Sequence, residues 1–166
     1  MAIDSATHLA AIGNVASNNV TVLSLGQSMS VNTSSTIQIP QGIALDPCPA
    51  SACNANEEFL PNPNFLITAS LQNQVEALDP TTGVLTPFRV GIDPTALAYN
   101  YATSTLVTLN LLSQTMTVVD YLALQVRAVF PVTPSNQFGV AIHPQTNLAV
   151  VADSINSRVL LLPLPQ

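Results

Sequence analysis

Asp4, Asp46, Asn100 and His143 each close one copy of a recurring phrase: Ala2-Ile3-Asp4, Ala44-Leu45-Asp46, Ala98-Tyr99-Asn100 and Ala141-Ile142-His143. Carboxylate, amide and imidazole groups at equivalent positions could build a polar or metal-binding collar. The same side chains also accept hydrogen bonds from the backbone of a following turn. Pro47 and Pro144, directly after two of them, favour the turn role, which is the expectation here. A second set, Asn14, Ser70, Asn110 and Asp153, ends the apolar runs that follow the phrases. Within it Asn14, Asn110 and Asp153 are weak metal candidates. Calcium takes about six to eight oxygens, several of them from carboxylates, and this set supplies one carboxylate, Asp153.

The remaining chemistry is sparse. No nucleophile–base arrangement is readable, so no catalytic residue and no cofactor is assigned. His8 has no paired acid in its own repeat, and Glu57 and Glu58 read as solvated loop acids. The chain has no Trp, and its Phe and Tyr residues fall mostly on core-type strand positions. Cys48 and Cys53 lie in the loop-type stretch Asp46-Pro47-Cys48-Pro49-Ala50-Ser51-Ala52-Cys53. A zinc site would need further ligands at zinc-type spacing, and the only histidines, His8 and His143, do not give it. A disulfide that pins the loop is favoured over free thiols. It would place the protein in an oxidising compartment, extracellular or periplasmic.

Composition narrows the partners. Of the 166 residues 48% are hydrophobic and 7% charged, against about 25% charged in ordinary domains, and there is no lysine. The formal net charge is −6 and Arg89, Arg127 and Arg158 form no stripe, so a nucleic-acid backbone has nothing to bind. No apolar run approaches the ~20 residues of a membrane-spanning helix, and no signal peptide is visible at the start. Sheet edges are commonly guarded by charge, above all by Lys. A chain without that device is expected to have part of its surface covered by another copy, another domain or a glycan, and the partner expected is a protein or a second copy of itself.

The elements that carry the two polar sets follow from the repeat. The phrase alanines are offset by 42, 54 and 43 residues (2 to 44, 44 to 98, 98 to 141). A period in the 40s made of short strands marks a β-propeller or a related array. Each repeat reads as four strands, and runs such as Thr115-Met116-Thr117-Val118-Val119 are β-branched and apolar. Turns are expected at Asn18-Asn19, Gln72-Asn73-Gln74, Ser113-Gln114, Asn156-Ser157 and Asp79-Pro80-Thr81-Thr82-Gly83, the last with Gly83 at positive φ. The outermost strand of the first repeat is read at 35–39. The fourth repeat ends after its third strand. Extra residues in the second repeat, between Pro47 and Asn64, form an insertion on one face. Almost no helix is predicted.

The expected fold is therefore all-β, one domain of about four propeller blades over roughly 1–41, 42–94, 95–137 and 138–166, the last blade lacking its outer strand. Val150-Val151-Ala152-Asp153-Ser154-Ile155-Asn156-Ser157-Arg158-Val159 resembles the core of an NHL repeat, in which Asp, Asn and Arg precede a hydrophobic strand. Gly42-Ile43-Ala44-Leu45-Asp46-Pro47 and the 79–83 turn are similar to YVTN-type repeats. The resemblance implies the propeller fold and is nearly silent on activity. NHL-like lyases need metal-binding histidines that this chain does not supply. Three ring closures stay open: four blades alone, two copies in an eight-bladed ring, or a segment of a longer propeller. The functional expectation is a non-enzymatic module for protein–protein contact or self-assembly. The alternative is a metal-dependent hydrolase or lyase with its site at a channel mouth.

Overall fold

The computed structural model describes residues 1–5, 7–26, 30–46, 64–132, 139–153 and 156–165. Cys48, Cys53, Glu57 and Glu58, with the loop that holds them, lie outside the described residues. Among the described residues fifteen strands form four separate sheets. The first holds β1 (Ala2–Asp4), β2 (Leu9–Asn14), β3 (Asn19–Ser24) and β4 (Ser30–Thr36). The second holds β5 (Pro40–Asp46), β6 (Asn64–Ala69), β7 (Gln74–Leu78) and β8 (Leu85–Arg89). The third holds β9 (Pro94–Asn100), β10 (Thr105–Asn110), β11 (Thr115–Asp120) and β12 (Gln125–Pro131). The fourth holds β13 (Val140–His143), β14 (Leu148–Asp153) and β15 (Arg158–Pro163). Every sheet is an antiparallel meander in chain order, the blade of a β-propeller. Among the described residues helix is limited to two short 3-10 turns, Val15–Ser17 and Ser70–Gln72, and none is long and apolar enough to cross a membrane.

The local chemistry explains the tight meander. Asn18, Asn73, Gln114 and Ser157 sit in the left-handed region (φ 52°, 56°, 54° and 49°), one at each turn between second and third strands. Asn reaches this region at low cost, and its amide can also serve as an acceptor. Asn18 Oδ1 takes the Ile39 N–H and Asn73 Oδ1 takes the Asp93 N–H, each at 3.1 Å, so two of these turns also hold the chain that leads into the next blade. Gly83 has φ 74°, as its turn requires.

The core is three layers, one at each blade junction. Ala11, Val20, Val22 and Ile37 of the first blade meet Phe65, Ile67, Ala69 and Leu78 of the second. Leu66, Val75, Ala77 and Phe88 of the second meet Leu97, Leu106, Val119 and Tyr121 of the third. Val107, Leu109, Met116 and Val118 of the third meet Ala149, Val151 and Leu164 of the fourth. The middle blades are thus covered on both faces, and β6 and β10 are buried at every position. First strands pack on first strands, β1 on β5, β5 on β9 and β9 on β13. Small residues allow this approach: a Cβ on Gly42 would stand 3.1 Å from the Ala96 Cα and 3.2 Å from the Leu97 nitrogen. β1 and β13 have no comparable packing between them, so the four blades form an open arc.

One strand departs from the sequence reading. The outer strand of the first blade is Ser30–Thr36, upstream of 35–39. Its residues, Ser-Val-Asn-Thr-Ser-Ser-Thr, carry almost no apolar signal. An outermost strand faces water along one edge, and the apolar residue that drew the reading downstream, Ile37, is buried just past the strand's end.

Candidate functional site

Asp4, Asp46, Asn100 and His143 are the last residues of the four first strands. Asn14, Asn110 and Asp153 are the last residues of three of the second strands. Strand pairing sets the distance between the two collars. Asp4 pairs with Leu9, Asp46 with Asn64, Asn100 with Thr105 and His143 with Leu148, in each case five residues before the far end of the second strand. At about 3.3 Å per residue this separates the collars by roughly 16 Å. They cannot share a site.

In the first collar Asp4, Asn100 and His143 serve turns. The Thr7 hydroxyl donates to Asp4 Oδ2 at 2.5 Å. Asn100 is 2% exposed. Its Oδ1 accepts the Ala102 N–H at 3.1 Å, and its Nδ2 donates to Pro144 O at 3.2 Å and to Asn147 Oδ1 at 3.1 Å. Asn100 therefore closes its own turn and clasps the equivalent turn of the next blade. His143 Nδ1 accepts the Thr146 N–H at 3.3 Å on the exposed rim. Asp46 is buried at its strand end. Sequence reasoning missed Asn147. Its position before an apolar run looked like a strand start, yet it lies at φ 51°, buried, where a left-handed turn residue of Asn type is favoured.

The second collar stitches second strands to third strands. Asn14 Nδ2 donates to Asn19 Oδ1 (2.8 Å) and Thr21 Oγ1 (3.0 Å). Asn110 Nδ2 donates to Thr115 Oγ1 (3.1 Å) and Thr117 Oγ1 (2.9 Å), the same two positions in its own blade. Asp153 takes the Asn156 amide at 3.0 and 2.9 Å on its two oxygens, and Arg158 Nε at 2.8 Å. The Asp, Asn and Arg of the repeat motif are thus one hydrogen-bonded cluster around a fully buried carboxylate. Ser70 is not the fourth member. Pairing places Ala69 opposite Gln74, where Asn14 stands opposite Asn19, and Ser70 one step beyond donates to Pro94 O of the next blade at 2.6 Å. Among the described residues no group of three or more His, Cys, Asp or Glu side chains could hold a metal ion. A recess of about 320 Å³ opens beside this cluster, lined by Ala152, Asp153, Ser157, Arg158 and Val159.

Two buried acids lie outside both collars, Asp79 at the start of its turn and Glu76. Glu76, on β7, is 4% exposed. Gln74 Nε2 donates to its Oε1, while Oε2 has no hydrogen-bond partner among the described residues. Burial raises its pKa above the usual carboxylate value, and the Gln74 hydrogen bond lowers it by less. A carboxyl that is harder to ionise when folded than when unfolded stabilises the fold least at high pH. Stability from this group is full below the unfolded value of 4.5 and declines as pH rises toward the folded value. Glu76→Gln is accordingly expected to stabilise the protein at pH 7 by on the order of 1 kcal/mol. Urea unfolding at pH 7 and pH 4 checks this, with the gain shrinking at the lower pH. No gain at pH 7 would mean that the carboxylate is satisfied.

No family model matches the chain, and no curated protein matches it. Solved structures do. The chain aligns over 99% of its length, with a TM-score of 0.69 and 11% identity, to virginiamycin B lyase from Staphylococcus aureus, covering 55% of that chain. The catalytically inactive variant of that lyase with quinupristin gives the same values. Kuenenia stuttgartiensis hydrazine synthase aligns over 59% of this chain and 31% of its own, with a TM-score of 0.50 and 22% identity. The chain spans about half the length of the lyase it matches. At these identities the likeness is one of fold, a β-propeller.

Proposed function

We propose that this protein is a propeller module of NHL/YVTN-like type that works by presenting rigid surface to a protein partner or to another copy, outside the cytoplasm, and not by catalysis. The observation that carries this reading is the use of the two collars. Asn14, Asn100, Asn110 and Asp153 spend their polar atoms on turns and hairpins of the fold. Groups held in this way rigidify the blades and are poorly placed to move protons or exchange ligands. The charge-poor composition supports a surface that makes contacts. In this proposal Cys48 and Cys53 form a disulfide in an oxidising compartment.

The second reading is a metal-dependent hydrolase or lyase with its site at a channel mouth. Its support is the fold shared with virginiamycin B lyase. Metal analysis of the purified protein separates the two. The expected result is no stoichiometric divalent cation after dialysis against a mixture of calcium, magnesium, manganese and zinc. One cation per chain, lost in Asp153→Ala or Asn14→Ala, would overturn the presentation reading in favour of the enzyme.

A further inference from the structure

First strands pack on first strands at the inside of the arc, so β4, β8 and β12 run along its outer rim. Among the described residues no strand pairs with their outer edges. A free edge invites strand addition unless something blunts it. β8 has Pro87 in its middle, which offers no N–H, and Arg89 at its end. β12 has a bulge: Val118 pairs with Ala128 and Val119 with Val126, so Arg127 is the extra residue. Its guanidinium is held by Asp120 at 2.6 Å. β4 has the same bulge. Val22 pairs with Thr33 and Leu23 with Val31, so Asn32 is the extra residue. Counted from the Asn14–Asn19 and Asn110–Thr115 pairs, both bulges follow the fourth residue of the third strand. Yet β4, Ser30-Val31-Asn32-Thr33-Ser34-Ser35-Thr36, holds no charged residue and no proline. Where the third blade has an arginine, the first has Asn32, and Asn32-Thr33-Ser34 is an acceptor triplet for an N-linked oligosaccharide.

We propose that Asn32 is an N-glycosylation site whose glycan blunts the outer edge of the first blade. This rests on the presentation reading, which places the protein outside the cytoplasm. In the modification the Asn32 amide nitrogen bonds to the anomeric carbon of an oligosaccharide carried on a lipid pyrophosphate. The bond from that carbon to the pyrophosphate oxygen breaks, the oxygen keeps the electron pair, and the amide gives up one proton. The Ser34 hydroxyl completes the triplet that the transferase reads. Backbone placement favours this triplet over the other one in the chain, Asn19-Val20-Thr21. The extra residue of a bulge has no cross-strand partner to lose, and the rim leaves space for a bulky, hydrated group. Asn19 lies on β3, paired with Asn14 on one side and Thr36 on the other. Its Oδ1 accepts the Asn14 amide at 2.8 Å, and Thr21 Oγ1 accepts the same amide at 3.0 Å. Those residues build the second collar. A glycan on β4 does what Arg127 does on β12: it puts strongly hydrated bulk where an incoming strand would have to displace it.

Intact-mass measurement on the full chain, made through a eukaryotic secretory pathway, tests the site. The expected product is heavier by one oligosaccharide, which a peptide N-glycosidase removes, leaving Asp in place of Asn at position 32 alone. Asn32→Gln and Ser34→Ala should each abolish the added mass, and Asn19→Gln should keep it. An unmodified parent, or added mass that survives Asn32→Gln, would overturn the site. Light scattering tests the blunting of the edge. The glycosylated chain should hold a constant mass as concentration rises, while the enzymatically released chain gains mass. Asn32→Arg, which installs the third blade's residue, should hold a constant mass without any glycan. Circular dichroism checks that each variant keeps its sheets. A released chain that behaves like the glycosylated one would overturn the edge role. Metal content read on the same fractions keeps the two proposals apart: a metal-free chain without a glycan sinks the site alone, and a glycosylated chain with a bound cation sinks presentation alone.

Discussion

Phe65→Ala is expected to destabilise the protein by about 3–5 kcal/mol, the usual cost of truncating a fully buried aromatic. Phe65 has no exposed surface and fills the junction between the first two blades, against Ala11, Val20, Val22 and Ile37 on one side and beside Leu78 on its own. Folded domains are stable by roughly 5–15 kcal/mol in all, so this change alone removes a large share. The arc has no central core to compensate, because each apolar layer belongs to one junction. Urea unfolding at pH 7 and fixed protein concentration measures the loss. Tyr101→Ala, at an exposed turn position, should fall within about 0.5 kcal/mol of the parent. A Phe65 variant as stable as the Tyr101 variant would mean that the first blade does not pack on the second.

Asn100→Asp should cost about 2–4 kcal/mol at pH 7, although Asp stands at the equivalent position in the first two blades. The difference lies in the neighbours. Asp4 receives a hydroxyl proton from Thr7. Asn100 must donate, to Pro144 O and Asn147 Oδ1, and a carboxylate there would face two acceptors with nothing to give, buried from water. Part of the loss should return near pH 4, as the introduced acid takes up the missing proton. The comparison is again urea unfolding at the two pH values, with Asn100→Ala alongside to separate repulsion from the loss of the amide. Equal stability of Asn100→Asp and the parent at pH 7 would free the residue from its structural role and reopen the collar as a ligand site.

Much of the architecture was legible in the residues because a propeller is written locally. β11 contains the β-branched run read at Thr115–Val119, which follows the turn expected at Ser113-Gln114. The outer strand of the first blade was not, because an edge strand of Ser and Thr has no alternation to betray it. Ser70 was equated with Asp153 by counting along the chain, and only the pairing of Ala69 with Gln74 moves it out of that set. Glu76 gave no signal. A lone acid between Val75 and Ala77 reads as the solvent side of a strand until a neighbouring blade covers that side.

The sequence by itself determined the repeat, the meander inside each unit and the residue types at the strand ends, because strand propensity, alternation and turn chemistry act over a few neighbouring positions. Tertiary structure decided which faces meet. Val22, Val118 and Leu161 are alike as letters in a repeat, yet two are buried and one is bare. What separates them is whether another blade lies beyond, a long-range contact that no local pattern encodes.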